Sequence, residues 1–287
     1  MFLVHKSFVF IFFAKINFIL YKEEIKDFIA HPVFGVWWLM GNLEGWGGPV
    51  SDTLIEQQKE LQQKILERMR ELGIEPVMQG FYGMVPTTLK DKLSAGIIPQ
   101  GRWAGGFQRP DFLLPTDPNF KRVAQIYYQE MKRLYGDDLR HFGGDPFHEG
   151  GNSSGVDVAL ASSAIQKEMM QAFPQSCWVL QGWGENPGTK LLQGLDKRHA
   201  LVVELFGENT DNWEKRKGYE DTPFLWCNVS NFGEKNGLYG KLQGIRTEAP
   251  DYFEIEKRWI DAPTIPSTPR ISSDRYREIL EQLSIGN

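Results

Sequence analysis

Apolar runs of strand length alternate along this chain with stretches of helical periodicity. Runs near 75–80, 139–145, 177–182, 200–206 and 223–228 are short, rich in Val, Leu, Phe and Trp, and bounded by turn residues, as buried strands are. Between them the apolar spacing changes to that of helices. Ile25, Phe28 and Ile29 recur among Glu and Lys near the start. Thr53-Leu-Ile-Glu56 reads as a capping box opening a helix with Leu61, Ile65, Met69 and Leu72 on its inward face and Gly73 at its end. Asp117 followed by Pro118 opens another, with Phe120, Ala124, Tyr127, Met131 and Leu134 inward and Gly136 as the stop. A further helix is expected over about 157–173, closed by Pro174.

Strands that alternate with helices argue for a parallel α/β fold. Each strand runs into a loop where Gly accompanies Trp, Glu or Asn. A (β/α) barrel gathers such loops on one rim, at the C-terminal ends of its strands. That topology sets Gln79, Glu149, Trp183, Glu208 and Asn231 around one mouth. A doubly wound sheet is the alternative, but no phosphate-binding loop supports it. About five strands are recognisable where a closed barrel needs eight, so the expected fold is an incomplete (β/α)8 TIM-type barrel. The rhythm fails after Ile245. The expected organisation is an atypical apolar N-terminal segment (1–22), a partial catalytic barrel (23–245) and a divergent tail (246–287).

Composition narrows the chemistry. Acidic and basic residues are interspersed around a net charge of −5, with no basic stripe to suggest nucleic acid. The five His show no paired ligand spacing and no dinucleotide fingerprint is present, so neither a metal nor a cofactor is expected. Cys177 and Cys227 lie in apolar runs and read as buried free thiols. The first twenty residues hold Val9-Phe-Ile-Phe-Phe-Ala between Lys6 and Lys15. That run is too short to span a bilayer and resembles a poor signal peptide, or a segment foreign to the fold. Nine Trp, mostly beside Gly, offer flat aromatic faces next to permissive backbone. Sugar rings suit such faces, although core packing produces similar counts.

Glu149 stands out within Gly143-Gly-Asp-Pro-Phe-His-Glu-Gly-Gly. A carboxylate on a Gly-rich loop at a strand end is where an α/β protein keeps its chemistry. A solvated turn glutamate is the other reading of the segment by itself.

Four blocks, in order, carry a resemblance. They are Trp37-Trp-Leu-Met-Gly-Asn-Leu-Glu-Gly-Trp-Gly-Gly-Pro49, Gly143-Gly-Asp-Pro-Phe-His-Glu149, Val179-Leu-Gln-Gly-Trp183, and Pro223-Phe-Leu-Trp-Cys-Asn-Val-Ser-Asn-Phe-Gly233 running on to Asn236-Gly-Leu-Tyr-Gly240. Residues from about 23 to 244 thereby resemble the α-N-acetylglucosaminidases of glycoside hydrolase family 89. The resemblance implies a (β/α)8 barrel acting with retention on terminal α-linked N-acetylglucosamine. It also implies a carbohydrate as the partner and a secreted, periplasmic or lysosomal location. On the same resemblance Glu149 is the general acid/base, and Trp37, Met40, Trp103, His148 and Trp183 line the sugar pocket.

A retaining glycosidase needs a second carboxylate about 5 Å from the first. The family's Pro-Glu-Gly segment, which supplies it, has no counterpart; Arg246-Thr-Glu-Ala-Pro250 follows instead. The nucleophile is therefore unidentified, with Glu204, Glu208 and Glu248 as candidates. The family's N-terminal domain, first barrel strand and C-terminal helical domain are not recognised either. Two expectations stand: an α-N-acetylglucosaminidase, or a catalytically inactive remnant that binds sugar.

Overall fold

Five short parallel strands form the framework, and the apolar runs mark all of them. The computed structural model describes residues 22–93, 96–205, 207 and 212–227. Strands β1 (Val77–Gln79), β5 (His141–Gly143), β6 (Cys177–Gly182), β7 (Ala200–Glu204) and β8 (Phe224–Trp226) lie side by side in that order. Every neighbouring pair is parallel, with Gln79 opposite Gly143, Gly143 opposite Val179, and Glu204 opposite both Gly182 and Trp226. Among the described residues the sheet is open. The three remaining strands are β2 (Met84–Val85), β3 (Ile97–Ile98) and β4 (Asp111–Leu113). They make a small antiparallel sheet between β1 and β5, in the order β2-β4-β3. Two-residue strands carry too little periodicity for the sequence to announce them.

Strand alternation divides the large sheet into two faces. Met78, Phe142, Trp178, Leu180 and Val202 belong to the main core. Val77, Val179 and Val203, one residue out of step, form a separate small cluster on the other face. The helices lie against the first set. Tyr128 meets Phe142 edge-on at 5.8 Å, and Phe142 packs against Phe173 at 4.9 Å.

Helices α1 (Lys22–Phe28) and α2 (Gly35–Leu39) precede the long α3 (Asp52–Glu71). Helices α4 (Pro118–Tyr135) and α5 (Val158–Ala172) start where Asp117 and Asp157 cap them: Asp117 accepts from Asn119 N at 2.8 Å, Asp157 from Leu160 N at 3.0 Å.

Helix α3 departs from the sequence reading twice. Its cap is Ser51, whose Oγ accepts from Leu54 N at 3.1 Å, so Thr53 and Glu56 sit inside the first turns instead of forming the capping box. Its buried stripe is Ile55, Gln62, Leu66 and Met69. Leu61 and Leu72 are 47% and 56% exposed, and only Met69 of the expected face is buried. A glutamine in the buried stripe disguised the period. Each helical residue turns about 100°, so reading a neighbour one position away rotates the assigned face by that much.

Short helices α6 (Thr189–Gln193), α7 (Asn212–Lys215) and α8 (Lys217–Asp221) fill the last connections. The expected N-terminal segment 1–22 lies almost wholly outside the described residues. So do Glu208, Asn231, Glu248 and the tail 246–287.

Candidate active site

The loop after β5 is tied down before it reaches Glu149. Trp178 Nε1 donates to Gly144 O at 2.9 Å, and Asp145 Oδ1 accepts from Gln181 N at 2.9 Å. Both bonds anchor the loop to β6. Gly144 has φ +128°, and a Cβ there would sit 2.6 Å from the Tyr82 ring, so only glycine fits. The backbone then winds through two non-glycine residues of positive φ, Phe147 at 62° and Glu149 at 48°. Such conformations persist where surrounding contacts enforce them.

Those contacts come from Arg109, which is 3% exposed. Its Nη2 donates to Glu149 O at 2.5 Å, and its Nη1 donates to His148 O at 2.9 Å. Nη1 also donates to Asn42 Oδ1 at 3.2 Å. Asn42, fully buried, turns its amide Nδ2 onto Glu149 Oε2 at 2.7 Å. Trp103 Nε1 donates to the same oxygen at 3.0 Å. Both donors converge on Oε2 and leave Oε1 to other partners.

Burial of the Arg109 guanidinium lowers its pKa, and the negative charge of Glu149 opposes that shift. Burial lowers the His148 pKa, with the Glu149 charge pulling the other way. Burial pushes the Asp145 carboxyl up to about 7, against the bonds from Gln181. Arg109, Asp111, Asp145 and His148 share a pocket of about 20 Å³. That is roughly the room one water needs, far too little for a sugar ring.

The structure brings together Met40, Trp103, His148 and Glu149 of the expected site. Met40 lines the small pocket, its Sδ lying 4.0 Å from Asn42 Nδ2. His148 sits in that pocket, 2% exposed, rather than on an open surface. Trp37 lies on α2 with 42% of its surface exposed, and its carbonyl accepts from Asn42 N at 2.9 Å. Trp183 stands on the next rim turn, where its N–H donates to Asn186 O at 3.1 Å. Gln79 joins β1 to α2 by donating to Leu39 O at 3.2 Å.

Sequence reasoning missed Asn42 and Arg109. Asn42 lay inside a quoted block without a role, and Arg109 lay in none.

Glu204 is the one candidate for the second carboxylate that lies among the described residues. It is 1% exposed and accepts a short hydrogen bond from Tyr219 Oη on α8. Val203, its neighbour, belongs to the Val77–Val179 face, so strand alternation turns Glu204 toward the opposite side. That bond gives Glu204 a structural partner on the helix-facing side of the sheet.

The family model for the alpha-N-acetylglucosaminidase (NAGLU) TIM-barrel domain matches residues 9–260. The chain belongs to this family. Its five parallel strands and the Glu149 loop at their C-terminal ends are a portion of that domain's barrel. The human alpha-N-acetylglucosaminidase is 29% identical over 239 residues, which are 78% of this chain and 32% of the human protein. A family 89 glycoside hydrolase from Clostridium perfringens, solved with PUGNAc, is 37% identical with a TM-score of 0.72, over 77% of this chain and 26% of that one. The same C. perfringens family in complex with 2-acetamido-1,2-dideoxynojirmycin gives 37% and 0.73 over 78% and 26%. A doubly Glu→Gln-substituted form in complex with its substrate GlcNAc-alpha-1,4-galactose gives 36% and 0.73 over the same shares. The chain thus spans about a third of the human relative's length and about a quarter of the bacterial ones.

Among the described residues no group of three or more His, Cys, Asp or Glu is placed to hold a metal. No described helix is long and apolar enough to cross a membrane.

Proposed function

We propose that this chain carries the acid/base part of a retaining α-N-acetylglucosaminidase site, acting on terminal α-linked N-acetylglucosamine. The observation that carries the reading is the Glu149 carboxyl at the end of β5, gripped on Oε2 by Asn42 and Trp103. Oε1 protonates the glycosidic oxygen as the bond to the anomeric carbon breaks. In the second half it accepts a proton from the water that releases the sugar. Trp37, Trp103 and Trp183 offer aromatic faces for the ring, and Met40 adds an apolar contact. A secreted, periplasmic or lysosomal location goes with this reading.

The attacking carboxylate is the second requirement of retention. Glu204 is committed to Tyr219, and Glu208 and Glu248 lie outside the described residues. A second reading follows from that observation: a sugar-binding remnant with an intact acid but no nucleophile. Without one member of a catalytic pair, turnover falls by several orders of magnitude.

One experiment separates them. The purified chain is given an activated aryl α-N-acetylglucosaminide and GlcNAc-α-1,4-galactose, with and without azide. Turnover without azide, lost in Glu149→Ala, supports the enzyme. Turnover only with azide supports the remnant, because the small anion replaces the missing nucleophile. In an active chain, Glu149→Gln slows the disaccharide far more than the aryl glycoside, since only the poor leaving group needs the proton. Equal slowing would remove Glu149 from the acid's role.

A further inference from the structure

We propose that Arg109 is the positioning residue for Glu149, a role that rests on the acid/base reading above. Four observations meet at its guanidinium. It bonds two consecutive carbonyls, His148 O and Glu149 O, at 2.9 and 2.5 Å. Those carbonyls belong to the turn where Phe147 and Glu149 take positive φ. It bonds Asn42 Oδ1, and so fixes which end of that amide faces Glu149. It also reaches Gly41 O at 3.5 Å, in the loop that brings Asn42 into place.

One planar group thus grips both the segment that carries the acid and the segment that carries the acid's donor. These segments are about a hundred residues apart, and Arg109 lies between them in sequence. A guanidinium fork offers its donors in one rigid plane; an ammonium is a point charge and cannot span the four acceptors in the same way. Arg109 is almost fully buried and its hydrogen-bond partners are neutral oxygens. Its charge is compensated across space by Glu149. Burying a cation in this manner is costly, and a fold that needed only packing would use an apolar side chain. Arg109 bonds the Glu149 backbone carbonyl and not its carboxyl oxygens. It acts through the backbone turn and through Asn42.

The test is a double-substitution cycle in the full chain, read with the two substrates above, plus azide if the parent requires it. Arg109→Gln is expected to lower kcat on the disaccharide about 100-fold and on the aryl glycoside far less, with KM little changed. Glu149→Gln combined with Arg109→Gln is expected to be no slower on the disaccharide than Glu149→Gln alone, because Arg109 has no acid left to position. Arg109→Lys should recover only part of the loss. Equal losses on both substrates, or additive losses in the double variant, would overturn the proposal.

A second measurement does not depend on turnover. The Trp103 indole N–H is bonded to Glu149 Oε2, so its nuclear magnetic resonance signal reports where that oxygen lies. Arg109→Gln is expected to move the signal toward its position in Glu149→Ala while the core resonances stay in place. An unmoved Trp103 signal overturns the proposal whether or not the chain hydrolyses anything. A parent inactive with and without azide defeats the functional reading alone.

Discussion

Asn42 Nδ2 lies 2.7 Å from Glu149 Oε2, joining residues 107 positions apart. The bond sets the rotamer of the carboxyl proposed above as the acid/base. Asn42→Leu should strand one Arg109 donor and free the carboxyl at once. Losing such buried partners costs about 1–3 kcal/mol in stability. Urea denaturation should register that loss. Turnover of the disaccharide should fall more than turnover of the aryl glycoside.

Trp103→Phe tests the other donor on the same oxygen. The ring survives but the N–H is lost, so the expected cost is about 1 kcal/mol, or several-fold in kcat. A loss as large as that of Glu149→Ala would mean that Trp103 does more than orient the acid.

Asp145 makes the fold's stability depend on pH. Its folded pKa, about 7, lies above that of an exposed aspartate because the side chain is buried. A group with a raised folded pKa gives its full stability below the unfolded value, about 4, and loses it as pH rises through the folded value. The buried Glu44, also pushed up to about 7, acts in the same direction. The lowered His148 acts oppositely as pH falls below about 6.5. The clean readout is therefore a difference. Asp145→Asn keeps an oxygen for Gln181 N, and should gain on the parent by about 1–4 kcal/mol between pH 4 and 8, measured by denaturation at several pH values.

Tyr219→Phe should separate stability from chemistry at Glu204. The buried carboxylate loses a donor, which costs about 1–3 kcal/mol in unfolding free energy. The ratio of turnover on the two substrates should not move, because Glu204 lies on the helix-facing side of the sheet. A changed ratio, or azide dependence created by Glu204→Gln, would keep Glu204 among the catalytic candidates.

Leu225 and Trp226 on β8 are 53% and 42% exposed at the last strand of the described sheet. Apolar side chains on an edge strand invite association. Leu225→Lys should lower the self-association seen by light scattering at high protein concentration. Unchanged scattering would point to another surface.

The sequence alone determined the strand–helix alternation, all five parallel strands, the cap of α4, and Glu149 as the residue to watch. Those features are local. A buried parallel strand is apolar throughout, and a cap is a matter of two or three neighbouring residues. Only the tertiary structure decided the face of α3, because Gln62 broke a pattern that assumes apolar residues inside. It alone decided the side on which Glu204 lies, since one step along a strand reverses it. Above all it decided Asn42 and Arg109. Nothing in the residues around either marks it, because their roles consist of hydrogen bonds across 107 and 40 positions of chain. Such contacts come into being only when the chain has folded.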